Sequence, residues 1–491
     1  MQILILPILL PVVFIVPLIL SKSVRLSRGL GITSSILLLV IALILFVSVL
    51  KHGILTLFLG GWEAPYGITL VADTTSALMV LVSAFIAFTI SVYSLFMVSD
   101  DLVRSKFYVF FNSLILGVNG AFLTGDVFNL YVWFEVMLLS SFVLITLGNN
   151  KAQLEGGIKY MAMNLIGSLL FLIGLGLLYG KTGTLNMAHL ATILNEDNNN
   201  ILMNTSSVLF FVAFGIKAAV FPLFFWLPAS YHTANISVTS LFAGLLTKVG
   251  VYVLFRFFTL FFIQDQDFWH QLLLIIAAAT MLFGGMAASV YYDSRRILSY
   301  HIISQIGYMI MGLGIYTPLA IAGAIYFTIH NMIAKTNTFV IAGLIAKKNG
   351  TFDLKESGGL LKASPILAIL FIIPALALAG VPPVSGFFAK FFLIKGGYEA
   401  GDYIITSIAV FTGLLTLYSM VKIWFEAFLK PVGNKNKNSS GFSFIQLFPS
   451  ILLGTASIAL GIFASYGYDI AIRAANELFS PEAYIHAVLN K

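Results

Sequence analysis

Apolar runs of about twenty residues follow one another along nearly the whole chain, parted mostly by short loops. At about 1.5 Å per residue, such a run is what a helix needs to cross the hydrocarbon of a bilayer. In lipid, every backbone donor and acceptor must find its partner within the protein. The runs must therefore become helices packed on one another. Composition agrees with this. Of 491 residues, 59% are hydrophobic and 10% charged, whereas a soluble chain keeps about 25% charged. The expected fold is all-α and polytopic.

About fourteen transmembrane helices are expected, near residues 2–20, 30–50, 73–98, 107–124, 127–147, 154–180, 206–230, 236–261, 269–290, 296–316, 319–346, 364–395, 403–429 and 443–466. Cation placement orients them. Sixteen Lys and Arg fall in the odd-numbered loops, including Lys22, Arg104, Arg296, Lys355, Lys435 and Lys437, against five in the even loops and the C-terminal tail. The positive-inside rule then puts both termini outside, in a multi-pass bacterial cell membrane protein. No cation precedes the first apolar run, so that run is expected to stay as a helix rather than leave as a signal peptide. The net charge of +7 resides in those loops and gives no reason to expect a nucleic-acid partner. There is no cysteine, which removes disulfides, thiolate metal sites and cysteine-held iron–sulfur clusters. No cofactor and no metal site are expected.

Six cations and two acids remain inside the expected helices. Lys422 and Glu426 stand four apart near a helix end, where an i,i+4 pair reaching the interface accounts for them. Arg256 is close enough to an end to snorkel. Glu135, Lys217, Lys248, Lys335 and Lys390 are too deep for that. Each central lysine costs about 2.5–3.5 kcal/mol on insertion scales. One glutamate cannot neutralise four lysines, so simple helix-to-helix pairing does not explain them. A buried lysine, unlike an arginine, can lose and regain a proton near neutral pH. These residues, with His330 five positions before Lys335, are therefore the candidate proton relay. His301 is a weaker candidate.

Prolines mark the other anomaly. FGIKAAVFPLFFWLPASYHTA carries Pro222 and Pro228 just after Lys217, and GVPPVSGFFAKF carries Pro382 and Pro383 just before Lys390. Proline breaks the helical ladder, and irregular backbone at membrane depth survives only in protein or beside water. The expectation is two broken helices, the seventh and the twelfth, facing an aqueous path. They stand five apart in helix order, and an odd repeat reverses its direction across the membrane. Helices 4–8 (107–261) and 9–13 (262–429) are thus expected to be inverted repeats, after an N-terminal part (1–106) and before a last helix and tail (430–491).

These motifs resemble a known family. GDVFNLYVWFEVMLLSSF, the two proline stretches, LLTKVGVYVLFR and SRRILSYHIISQIGYM together are similar to the antiporter-like subunits of respiratory complex I and of Mrp-type multisubunit sodium/proton antiporters. The resemblance implies that Glu135 pairs with Lys217, that Lys248 continues a central polar axis, that His330 and Lys335 join the two halves, and that Lys390 leads to the far side. Chain length and Lys390 are most similar to the D-type Mrp subunits. The implied function is proton translocation in a sodium/proton antiporter, as a transporter subunit and not an enzyme. Its partners would be other membrane subunits, protons and sodium. The alternative is a proton-pumping subunit of complex I, with the same relay. An independent carrier with parallel halves would want a basic loop after helix 2, and KHGILTLFLGGWEAPYG has one lysine.

Overall fold

The computed structural model describes residues 2–196, 201–431 and 441–489. Lys435, Lys437 and Lys491, counted above in the loops and tail, lie outside the described residues. Helices dominate. They are α1 (Leu6–Leu20), α2 (Val24–His52), α3 (Thr74–Met97), α4 (Phe107–Leu123), α5 (Val127–Thr146), α6 (Lys151–Thr182), α7a (Ile201–Ala218) and α7b (Trp226–Tyr231). There follow α8 (Ile236–Leu260), α9 (Gln266–Val290), α10 (Ser294–Ile315), α11 (Pro318–Asn349), α12a (Pro365–Ala379), α12b (Ser385–Glu399), α13 (Tyr403–Trp424), α14 (Phe444–Ile462), α15 (Ala464–Phe479) and α16 (Pro481–Leu489). Among the described residues, ten helices are long and apolar enough to cross a membrane, and α4, α7a and α12a are shorter apolar ones.

Helix starts follow local chemistry. Asp73, Asp126, Asn150, Asn235, Asp293 and Thr317 each accept a backbone N–H of the first turn, answering donors that a helix leaves unpaired. Two of these caps do more. Asp126 also bridges Asn186, four residues past the end of α6, and Asp293 bridges Asp353, four residues past the end of α11. One element was not expected: β1 (Leu55–Phe58) and β2 (Thr69–Ala72) pair antiparallel in the loop after α2.

The helices sort into a ring and a centre. The most apolar stretches of α8 and α10 are 100% and 94% buried, whereas those of α1, α2, α6, α9 and α13 leave more than half their residues only partly buried or exposed. α11 is buried from Ala320 to Ala346. The apolar ring meets the hydrocarbon, and the polar side chains concentrate on the buried elements. Small residues permit this closeness. A Cβ on Gly250 of α8 would come within 2.6 Å of the Ala218 nitrogen, so α8 lies directly on the end of α7a.

Two expectations are corrected here. Arg256 does not snorkel. It is buried, makes a close ion pair with Asp73, bonds the Tyr252 hydroxyl and lies over the Tyr484 ring. Lys422 does not pair with Glu426. Its Nζ donates to the Ser289 and Tyr291 carbonyls at 2.9 and 2.6 Å, while Glu426 takes Lys430 at 2.9 Å. In each case a distant segment brought the better partner.

The Asp73–Arg256 pair ties α3 to α8 near their ends. Breaking one side leaves a lone buried charge, which typically costs about 3–5 kcal/mol. Arg256→Met is expected to lower resistance to detergent unfolding by that order, and adding Asp73→Asn, which removes the charge and keeps the helix cap, to restore most of it. A single variant as stable as the parent would show that the pair holds nothing.

Candidate functional site

Lys217 sits at the penultimate position of α7a, and the helix stops there for a backbone reason. Ala219 adopts φ +62°, the left-handed region that costs a non-glycine residue roughly 1–2 kcal/mol. Irregular chain then runs from 219 to 225, through Pro222, before α7b. Pro228 is not part of the break. It lies in the first turn of α7b, where a missing N–H costs nothing. Protein groups satisfy part of the interruption: the Phe221 N–H donates to Thr280 Oγ1 at 3.0 Å, and Trp226 Nε1 donates to the Ile216 carbonyl at 3.0 Å.

The second break lies between Ala379 and Ser385, with Gly380 at φ +88° and Pro382 and Pro383 within it. Gly386 lets the two halves touch, since a Cβ there would fall 1.7 Å from the Ala377 carbonyl oxygen. Lys390, one turn into α12b, turns back to the open end of α12a. Its Nζ donates to the Leu378 and Ala379 carbonyls at 2.9 and 3.0 Å. A cation at a helix C-terminus is favoured by the dipole as well as by those bonds.

Lys217 is held differently. Its Nζ donates across to α6, to the Asn164 carbonyl at 3.1 Å and Ser168 Oγ at 3.0 Å, and lies 5.4 Å from the Phe134 ring centroid. Glu135, next to that ring, makes no ion pair with Lys217 within 4 Å, and its Oε1 is buried without a hydrogen-bond partner. The direct pairing implied by the resemblance is thus not formed in this conformation. A void of about 10 Å³ adjoins Lys217, bounded by Asn164, Tyr160 and Trp226, and has room for about one water.

The centre is the least satisfied part of the molecule. Lys248 is fully buried and donates to the Ala243 carbonyl of its own helix at 2.6 Å. Lys335, also fully buried, has no hydrogen-bond partner on Nζ. His330 Nδ1 lies 2.7 Å from Ser385 Oγ, which continues to Ser457 at 2.9 Å, but its Nε2 is unpartnered. Both ring nitrogens of His301, both side-chain polar atoms of Asn331, and Gln305 Oε1, Ser304 Oγ, Thr247 Oγ1 and Thr412 Oγ1 are unpartnered too. These residues lie on α8, α10, α11 and α13. An unpaired buried polar atom typically costs about 1–3 kcal/mol, so a concentration of them calls for water as the common partner. Asn331 and Gln305 were missed by the sequence reading, which weighed titratable side chains only. An amide inside an apolar helix was the available signal.

At the basic-loop end of α7b a vestibule of about 330 Å³ is lined by Glu155, Lys159, Pro228, Ala229, His232 and Arg296, among others. His232 Nδ1 is 2.7 Å from the Pro228 carbonyl, and its Nε2 is 3.3 Å from Arg296 Nη2. Arginine only donates, so Nε2 accepts and the ring is neutral. Burial, with Arg296 assisting, holds its pKa below the usual histidine value.

Comparison with known proteins agrees with the fold. A family model described as NADH:quinone oxidoreductase/Mrp antiporter, transmembrane, matches residues 124–416. The chain is 44% identical over 488 residues to the D-type Na(+)/H(+) antiporter subunit of Alkalihalophilus pseudofirmus, covering 99% of both, and 41% identical over 488 residues to that of Bacillus subtilis, again covering 99% of both. It superposes on a chain of the Mrp complex of a Dietzia species with a TM-score of 0.93, at 28% identity and full coverage of both chains. The chain belongs to the NADH:quinone oxidoreductase/Mrp antiporter family.

The vestibule gives a direct expectation. A thiol at Ala229 should react readily with a small charged reagent offered from the basic-loop side, because Ala229 lines the vestibule, and it would report alone because the chain has no cysteine of its own. A thiol at Leu172, on the outward face of unbroken α6, should react far more slowly, since a thiolate is disfavoured in apolar surroundings. Equal, negligible labelling at both would mean that the vestibule is closed to water.

Proposed function

We propose that this chain is a proton-translocating membrane subunit of a multisubunit cation (sodium)/proton antiporter. The observation that carries the reading is the set of four buried lysines Lys217, Lys248, Lys335 and Lys390, with polar atoms that lack protein partners concentrated on the buried helices that carry Lys248 and Lys335. In this reading a proton enters from the vestibule side and reaches Lys217 and Glu135. It passes along Lys248 and Lys335 through bridging waters, then leaves by way of His330 and Lys390. Each lysine's acceptors are weak enough to release: one carbonyl and one hydroxyl at Lys217, two carbonyls at Lys390, one carbonyl at Lys248, none at Lys335. A carboxylate clamped on any of them would hold its proton.

The repeat organisation supports the same reading. The cap-and-bridge device at Asp126 recurs five helices later at Asp293, and the break in α7 recurs five helices later in α12. Helices 4–8 and 9–13 read as inverted repeats of one unit within fourteen spans, with both termini outside. Each unit supplies one broken helix and one lysine beside it. The partners would be the other subunits of a membrane antiporter assembly. The relatives named as Na(+)/H(+) antiporter subunits favour this over membership of a redox-driven pump.

Lys390 tests the relay because arginine preserves its charge and not its ability to release a proton. In everted vesicles carrying the whole assembly, Lys390→Arg should lower sodium-dependent proton movement on the order of 100-fold, the usual scale for loss of a positioned proton-transfer group. The amount of assembled complex should stay near normal. Full exchange by the arginine variant would make Lys390 a fixed charge and remove it from the path.

A further inference from the structure

An outward-facing groove of about 260 Å³ runs between α12a and α13, and nothing in the relay uses it. Its eight lining residues are Phe371, Ile372, Ala375 and Leu376 on α12a, and Leu417, Met420, Val421 and Trp424 on α13; all are apolar. Ala375 leaves the hollow by being small. Ile369, Leu414, Tyr418 and Val421 around it are 53–63% exposed, so the groove opens sideways from the bundle. From Leu417 to Trp424 it spans roughly 10 Å along the helix axis, which fits one hydrocarbon chain lying parallel to α13.

The groove ends at an aromatic cluster and then at charge. Trp424 stacks on Phe371 and Phe428, with centroids at 6.2 and 4.9 Å, as aromatic side chains do at the headgroup level. Beyond it the chain passes through one π-helical turn, Phe425–Leu429, to Lys430. The Gly359 N–H donates to the Lys430 carbonyl at 2.7 Å, which brings the loop before α12a alongside. That loop carries Lys355 and the exposed Lys362. Lys430 Nζ reaches the Lys355 carbonyl at 2.8 Å as well as Glu426 at 2.9 Å. With Lys422 beside Tyr292, four lysines gather with the acids Asp353, Glu356 and Glu426 at this end, and Lys362 among them is exposed.

We propose that this groove binds an anionic phospholipid of the leaflet on the basic-loop side. One acyl chain fills the space between Ala375 and Met420, and the phosphate is attracted to Lys362 and Lys430. Charge complementarity at one end and a hydrocarbon-shaped hollow at the other specify a lipid, because a partner helix would need a matching row of acids at headgroup depth. The lipid would brace α12a, whose far end supplies the two carbonyls that hold Lys390.

Bromine on an acyl chain quenches tryptophan fluorescence on contact, and Trp424 lines the groove. The full chain is reconstituted in vesicles containing brominated phosphatidylglycerol or brominated phosphatidylcholine, and the quenching lost in Trp424→Phe is assigned to Trp424. Two interfacial lysines should give the anionic lipid a preference of roughly 5- to 30-fold at this tryptophan. Lys362→Gln with Lys430→Gln should abolish the preference, and Ala375→Phe should reduce quenching by both lipids. Equal quenching by both lipids in the parent chain would mean ordinary bilayer contact and overturn the proposal. Absence of quenching by either, with the chain in its assembly, would mean that a neighbouring subunit fills the groove and would overturn it equally. The readout is binding, so it stands apart from any result on transport.

Discussion

A lysine ammonium buried between apolar helices has no water of its own, and everything else in this molecule answers to that. The chain carries four such groups and surrounds them with the most deeply buried helices, α8, α10 and α11. An ion pair at each lysine would lower the cost, and the fold withholds it. The close buried pair that does form, Asp73 with Arg256, is near a helix end and away from the four. Where stability is the aim, the protein joins opposite charges. Along the central line it uses carbonyls, hydroxyls and space.

The two helix breaks are part of the same solution. An unbroken helix consumes its own carbonyls, so a lysine beside it finds few acceptors. Ending α12a at Gly380 frees two of them, and Lys390 takes both. At the first break the Ile216 carbonyl is taken by the Ala219 N–H and by Trp226 instead, and Lys217 turns to α6. The two breaks therefore differ in how firmly the lysine is tied to each. Lys390 is fixed to backbone on its own broken helix. Lys217 depends on α6, beside a void next to Tyr160 and Trp226, and a carboxylate with an unpartnered oxygen lies one residue beyond the ring it rests on. That difference gives the two ends of the line unequal handles.

What the sequence made legible was whatever depends on cost alone. Charge at depth singled out Lys248 and Lys335 without any contact being known, and both are fully buried. Proline placed the interruptions at Pro222 and Pro382–Pro383, but overcounted Pro228, because a proline in a first turn is harmless and only the position of the turn reveals it. Partner choice was not legible. Asp73 and Arg256 are 183 residues apart, and Lys422 found carbonyls at the C-terminal end of α9 and just past it instead of its i,i+4 neighbour. Polar residues without charge were undervalued for the same reason. Asn331 and Gln305 become informative only when their surroundings are seen to offer no partner.

The central claim is that water completes the line around Lys335. A cryo-EM map of the assembled complex, sharp enough to place ordered waters, tests it most directly. The account predicts density within hydrogen-bonding distance of Lys335 Nζ, with further waters reaching Asn331 and His301. A dry site, with Lys335 either packed against apolar side chains or bonded to a protein group that excludes water, would contradict it.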